Sequence, residues 1–442
     1  MTLAETAAAI ATGRLDPLAH AQAHLARIAR ANPALHAMAA PDPTVPAQAE
    51  ALRARLARGE QLPLAGIPIA VKDAFDSAGL PTTANARLYA NAPPAAQDAP
   101  AVARLRQAGA IILGKATCWE MSVGGPSDTS PQPPAINPWA PNADPGGSSN
   151  GSAVAVASGM AMAALGGDTG GSIRLPAAFC GLAGFKPTHG KVPLQGAIPF
   201  AESLDVIGPL APTAADCALL HAAMAQEAPH PPIPLHGLRL GIPQALLAHT
   251  PPTPAMAEAL AAAVATLERH GAIIREAPLP SAALFNPCYF LIARSEAFAL
   301  WRHALATAPE TLNPLTRRSF AIGALIPPEA LANAHRLRTA LRAELAAAFA
   351  EADALLLPTT PDEAADLDFT TAFSRPDTAP YTRPFSLAGV PAISLPCALG
   401  PRGRPLGLQL VGRHGEDARL LAIATAIEQA LPKIGAPKEW WS

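Results

Sequence analysis

The strongest constraint in this sequence is the run from Gly146 to Thr188, GGSSNGSAVAVASGMAMAALGGDTGGSIRLPAAFCGLAGFKPT. Two glycine-flanked serines, Ser148 and Ser172, bracket an apolar stretch from Ala153 to Leu165. That stretch is too short to cross a bilayer but long enough for a buried helix followed by a strand. Such a unit folds back on itself, so the two serines can meet in space. Glycine and serine together usually mark a flexible connection. Here both clusters are locked between apolar runs, where flexibility is costly and every backbone N–H and C=O needs a fixed partner. The run reads as a compact active site rather than a linker.

With 442 residues and 50% hydrophobic content, the chain can bury a large core. A formal net charge of -2 leaves no cationic excess to attract a phosphate backbone or an anionic membrane, so nucleic acid and membrane binding are not expected as main roles. The five cysteines are odd in number and scattered, with no CxxC or Cys/His cluster, so we expect reduced core residues and no metal. The amino-terminal MTLAETAAAIATGRLD carries Glu5 and no basic residue before its alanine run, unlike a secretory signal, which points to the cytoplasm. Lysine is scarce, so Lys72 inside the apolar run GIPIAVKDAF stands out.

Along the chain, residues 3 to 30 show helical spacing, and Gly66 to Phe75 alternates like a buried strand that Lys72 ends. Asp98 and Pro100 open a helix that Gly109 closes, and Ala110 to Leu113 follows as a strand. The same rhythm recurs through the Gly146 to Thr188 block and in Leu238 to Ile242, a helix from about Pro254 to His270, and Ala272 to Arg275. Residues 283 to 350 read as a helical side layer or lid. Strands at Ala354 to Leu357, Ala392 to Pro396 and Gly407 to Val411 precede a final helix from about Asp417 to Leu431. Pro-rich pieces at 41–46, 131–145 and 228–234 read as surface connections. These elements predict an α/β fold with one mixed, mostly parallel central sheet covered by helices, in a single large domain over 1–442 whose core, 60–215, carries the chemistry.

Serine is a poor nucleophile until a positioned base takes its proton and donors hold the oxyanion. Thr169, Gly170, Gly171 and Ser172 follow Asp168, and the two residues without Cβ allow successive backbone N–H groups to point at one spot. Asp168 and Arg174 bracket that turn and are read as a pair that fixes it. Lys115, Lys186 and Lys191 are read as ordinary surface lysines.

At this point the residues resemble a family. GGSS, the 24-residue step from Ser148 to Ser172, DTGGSIRLPAAFCGLAGFKPT and the upstream GIPIAVKDAF are similar to the amidase signature enzymes. The likeness extends to NPWAPNADPGGSS, SLDVIGPLAPTAADCALL, PTTP, AGVPAISLPCALG and PLGLQLVG, nearly the whole chain. The family includes fatty acid amide hydrolase, malonamidase, allophanate hydrolase and the A-type component of glutamyl-tRNA amidotransferase. The resemblance implies an amidase that hydrolyses a small-molecule carboxamide through an acyl-enzyme on Ser172, with Ser148 bridging on a cis peptide bond after Gly147 and Lys72 as base. Backbone N–H groups of Thr169 to Ser172 would hold the oxyanion. No cofactor is implied, the partner is a small amide, and a homodimer is compatible with the sequence. A lysine accepts a proton only when neutral, and burial among Ile67, Ile69 and Val71 favours the neutral form. The chain departs from the pattern at Asn150, where relatives carry glycine, at Ser386, where asparagine is common, and at Cys118 and Trp119; the amide cleaved stays open. If residue 150 needs positive φ, asparagine is the least costly replacement for glycine.

Three other readings compete. Gly147 to Gly151 also satisfies GxSxG, which would make Ser149 the nucleophile of an esterase with a late histidine such as His414, but the preceding Pro138 to Pro145 is unlike the required strand. GGDTGGS could cradle a phosphate, but GxxxxGK[ST] is missing. The A-type component of a tRNA-dependent amidotransferase is the alternative within the family; relatives of that kind carry a tyrosine-rich segment where residues 301–330 have no tyrosine.

Overall fold

The apolar runs of the sequence become strands wherever β-branched residues are bounded by glycine or proline. In the computed structural model, which describes residues 1–367 and 377–439, eleven strands form one sheet. They are β1 Met38–Pro41, β2 Pro68–Lys72, β3 Ile111–Ala116, β4 Ala163–Asp168, β5 Ala183–Lys186, β6 Val206–Ala211, β7 Arg239–Ile242, β8 Ile273–Glu276, β9 Ala354–Pro358, β10 Ala392–Leu399 and β11 Pro405–Val411. Their spatial order is β1-β3-β2-β4-β6-β5-β10-β11-β9-β7-β8.

The sheet is mixed, but its parallel part is smaller than the strand and helix rhythm implies. β3, β2 and β4 run parallel at one end and β9, β7 and β8 at the other. Between them β6, β5, β10 and β11 pair antiparallel, each neighbour reversing direction. The rhythm of the sequence describes the two ends, where helices cross over, and not the centre, where strands return directly. β2, β3, β6 and β9 are buried at every residue, as expected of strands covered on both faces.

The apolar stretch after Ser149 divides as expected. Asn150–Ala157 is a helix whose first seven residues are all buried, and β4 follows. The helix starts beside Ser148 and β4 ends four residues before Ser172, which folds the two serine ends together. Residues 283 to 350 are helical, in Ala282–Thr307, Pro314–Ala321 and Pro328–Ala348. All five cysteines are buried and unpaired. Among the described residues no helix is long and apolar enough to cross a membrane.

Two connections prove more structured than their proline content indicates. Residues 41–46 contain the end of β1 and the start of the helix Val45–Ala57. The segment 131–145 dives inward at Asn137, whose amide donates to the carbonyls of Asp144 (3.1 Å) and Phe179 (3.0 Å). Only 228–234 is the open surface connection expected.

β3 reaches Lys115 through Gly114, a residue at φ +136° facing β1. A Cβ there would lie 2.2 Å from the Ala40 carbonyl oxygen and 2.8 Å from the Asp42 nitrogen, both backbone atoms that cannot swing away. Gly114→Ala is therefore expected to cost roughly 2 to 4 kcal/mol. A urea midpoint equal to that of the wild type would show that β1 yields instead.

Candidate active site

β2 delivers Lys72 to the sheet's interior, where the side chain is 1% exposed. Its Nζ donates to Ser148 Oγ at 2.8 Å, and Ser148 is itself fully buried. The Gly147–Ser148 peptide bond is cis. Trp119 covers that peptide: its backbone N–H donates to the Ser148 carbonyl at 3.1 Å, and a Cβ at Gly147 would lie 2.1 Å from the indole. Ser172 sits on the turn after β4, half-buried, and its carbonyl accepts from the Ser149 N–H at 3.2 Å. The three residues named from sequence are thus brought to one place. Among the described residues, no hydrogen bond joins the Ser148 and Ser172 hydroxyls.

Burial pushes the Lys72 ammonium below its ordinary range, while the carboxylates of Asp205 and Asp168 pull the other way. Cys118 also lies near, but burial drives its thiol up to about 12, so it carries no charge at neutral pH. Asp205 is raised to about 6 by burial, against the Thr169 hydroxyl and the N–H groups of Phe200 (2.8 Å) and Ala201 (2.9 Å), which favour its charge. A cavity of about 130 Å³ opens here, with Lys72 and Asp205 among apolar walls that include Phe75, Ile198, Phe200 and Ile207.

Asp168 and Arg174 make the expected pair, with neither side chain exposed. Arg174 grips both carboxylate oxygens, Nε to Oδ2 and Nη2 to Oδ1, each at 2.9 Å. The same guanidinium donates to the Thr382 carbonyl (2.9 Å), Gln409 (2.6 Å) and Ser386 (2.7 Å). Ser386 is therefore a link in this network, its hydroxyl also 3.4 Å from Asp168. Asp168 accepts from the Gly171 N–H at 2.7 Å. That bond commits one of the four amides expected to face an oxyanion and leaves those of Thr169, Gly170 and Ser172.

Several sequence readings change. Lys115 is buried, paired with Asp73 at 3.2 Å and donating to the Phe75 carbonyl and to Thr82 (3.0 Å). Lys186 is also buried, donates to the Pro187 carbonyl at 2.8 Å and is lowered to about 7 by burial and by Arg174. Neither is a surface lysine; only Lys191, paired with Glu227, stays partly exposed. Asn150 lies in a helix and not among the positive-φ residues, so the left-handed premise for it does not apply. The esterase reading loses its nucleophile: Ser149 Oγ is buried between the carbonyl (3.2 Å) and N–H (3.1 Å) of Gly167, and His414 lines a separate cavity with Arg413 and Phe349. Sequence reasoning missed Asp205, whose only signal was a lone acid in the apolar run SLDVIGP, and Tyr289, whose hydroxyl reaches Gly170 from 119 residues away.

The sequence profile of the Amidase family matches residues 19–421. The A-type component of the glutamyl-tRNA(Gln) amidotransferase of Roseiflexus sp. (strain RS-1) is 36% identical, the match spanning 97% of this chain and 96% of that protein. A crystal structure of an amidase superposes with a TM-score of 0.88 at 36% identity, covering 98% of this chain and all of that one. A chain from a vestigial protein complex bearing on the origins of an s-triazine catabolic enzyme superposes with a TM-score of 0.90 at 32% identity, over 99% and 100% of the two chains.

Removing one partner of a fully buried charge pair leaves the other uncompensated. Arg174→Met is expected to lose roughly 3 to 5 kcal/mol of stability. Thermal unfolding checks this; a midpoint within a degree or two of the wild type would mean that water or a neighbouring donor replaces the guanidinium.

Proposed function

The chain belongs to the amidase family, and from that premise we propose that it hydrolyses the C–N bond of a small carboxamide, with Ser172 as nucleophile, Ser148 as proton bridge and Lys72 as base. The observation that carries this reading is the 2.8 Å contact between the buried Lys72 amine and the Ser148 hydroxyl, beside the turn that bears Ser172. In the neutral amine form the same contact lets Ser148 donate to Nζ. Ser148 can then accept the Ser172 proton as the Ser172 oxygen attacks the carbonyl carbon. The amides of Thr169, Gly170 and Ser172 receive the developing negative charge. The proton returns through Ser148 to the leaving nitrogen as the C–N bond breaks. Water then cleaves the acyl ester along the same route, giving carboxylate and amine or ammonia. Apart from that water, every group the steps use belongs to the chain itself.

A second reading has the curated relatives behind it more than the first does. The 36% identity to the A-type component of an amidotransferase, over almost the full length, supports a chain that releases ammonia from glutamine and works with other chains on tRNA-linked glutamate. In favour of the free amide stand the tyrosine-free segment 301–330, the lack of any cationic excess, and a cavity of about 130 Å³ suited to a small group. Both readings share the chemistry at Ser172. They part on whether the purified chain alone turns over simple amides, or glutamine only when a partner is supplied.

Fluorophosphonate labelling followed by peptide mapping is expected to modify Ser172, and Ser172→Ala to abolish it. Lys72→Ala is expected to lower kcat by about a thousandfold or more, with His414→Ala within about twofold of wild type; the reverse pattern would restore the esterase. Because the base works when uncharged, kcat/KM is expected to fall as pH drops through the Lys72 pKa, which burial places below the ordinary lysine value of 10.5. A low-pH limb unchanged in Lys72→Ala would remove lysine from the mechanism.

A further inference from the structure

Three acids border the catalytic cavity, Asp168, Glu202 and Asp205. Asp168 is matched by Arg174, and Glu202 is exposed. Asp205 forms no ion pair among the described residues, and no step of the hydrolysis proposed above uses it. Its place in the sheet is particular. The ladder between β4 and β6 ends where Asp168 faces Val206, and the chain then turns toward Ser172. The next two residues across that gap, Thr169 and Asp205, are joined by their side chains: the Thr169 hydroxyl donates to Asp205 Oδ1. Asp205 Oδ2 accepts the N–H groups of Phe200 (2.8 Å) and Ala201 (2.9 Å), which pins the carboxylate to the segment before β6. Thr169 therefore enters the turn with its side chain tied down, and its amide is one of the three that the turn leaves for an oxyanion.

Lys72 lies across the same strand end. Its Nζ would be 3.7 Å from a Cβ at Gly167, two residues before Thr169. The groups whose charge reaches Lys72 are Asp205 from the segment before β6, Asp168 from the end of β4 and Cys118 from beyond β3. Cys118 is uncharged at neutral pH, and the charge of Asp168 is matched by Arg174. The Tyr289 phenol, which also feels Asp205, is raised to about 12 by burial and is neutral too. Asp205 is left, held by neutral donors alone, as the acid whose charge bears on the base. A nearby negative charge favours the ammonium form of a lysine, so Asp205 opposes what burial does to Lys72.

We propose that Asp205 is a positioning residue for the hydrolysis: it holds the oxyanion turn through the Thr169 hydroxyl, and its charge sets the pH above which Lys72 works as a base. This deepens the amidase reading and rests on Ser172 as nucleophile. One carboxylate then ties the two halves of the reaction together, the turn that receives negative charge and the amine that receives the proton.

Asp205→Asn keeps the shape of the side chain and removes its charge. In the full chain, the low-pH limb of kcat/KM for a neutral carboxamide is expected to move to lower pH by about half a unit or more, because a lysine without its neighbouring anion gives up its proton more readily. Thr169→Val removes the hydroxyl and keeps the carboxylate. It is expected to lower kcat about tenfold or more with KM within about twofold of wild type, and Thr169→Ser to recover most of the loss. Thr169→Val reads the same bond from the other side, and decides alone if Asp205→Asn does not fold. A limb that Asp205→Asn leaves in place, or a Thr169→Val kcat within about twofold of wild type, overturns the proposal. The base can also be followed without turnover. The chain has only six lysines, so the Lys72 amine is observable by carbon-13 NMR in lysine-labelled protein, assigned by its loss in Lys72→Met. Its titration is expected to move to lower pH in Asp205→Asn even where every amide is inert, and an unmoved titration overturns the proposal. Inert amides and an unlabelled Ser172 with the titration displaced instead refute the amidase reading and leave the coupling of Asp205 to Lys72 standing.

Discussion

The pairing of Asp168 with Arg174 fixes the geometry on which the site depends. It ties the end of β4 to the residues after Ser172, and through the remaining guanidinium donors to Thr382, Ser386 and Gln409 on β11. Removing two charges from water costs several kcal/mol each, so such a pair is weak evidence of stability in itself. Its value is directional. Asp168 accepts the N–H groups of Gly171 (2.7 Å) and Ile173 (3.2 Å), while Thr382 donates to the Gly170 carbonyl at 2.6 Å. With those groups committed, the turn has little freedom left.

Three lysines are buried within this half of the sheet, and their partners separate them. Lys115 meets a carboxylate, Asp73, which favours the charged form. Lys186 meets a carbonyl, which can only accept and so cannot hand it a proton. Lys72 meets the Ser148 hydroxyl, which can donate as well as accept; Lys115 also meets a hydroxyl, that of Thr82, but its Asp73 partner favours the charged form. Burial lowers all three, so desolvation does not distinguish them; the oxygens they meet do.

What could be read from the sequence was what short spacing determines. The buried helix and strand between Ser148 and Ser172, the strand that ends at Lys72, and the helical character of 283–350 follow from periodicity and from glycine and proline boundaries. β1 and β6 were not read: proline ends the one at Pro41 and interrupts the other at Pro209, so neither run carries a plain strand signature. The antiparallel centre was missed because direction is set by the connection, not by the strand's residues. Lys115 and Lys186 looked like surface residues because their oxygen partners are chosen by folding. Asp205 and Tyr289 reach the site from 33 and 117 residues beyond Ser172; a lone acid in an apolar run is the one local signal for the first, and Tyr289 has none.

Ser386, Asn150 and Trp119 surround the contact between Lys72 and Ser148 without taking part in it. Ser386 bridges Arg174 (2.7 Å) and Asp168 (3.4 Å), because a hydroxyl both donates and accepts. Asn150 sits at the start of a buried helix with its Oδ1 unpartnered among the described residues, a local cost rather than a change of backbone. Trp119 lies flat on Gly147, so the indole defines the wall beside Ser148 and requires a glycine beneath it. None of these three side chains hydrogen-bonds to Lys72 or to the Ser148 hydroxyl among the described residues. Each shapes the surroundings of that contact, which is where discrimination between one amide and another must arise: the bond broken is common to all of them, and only the groups attached to it differ.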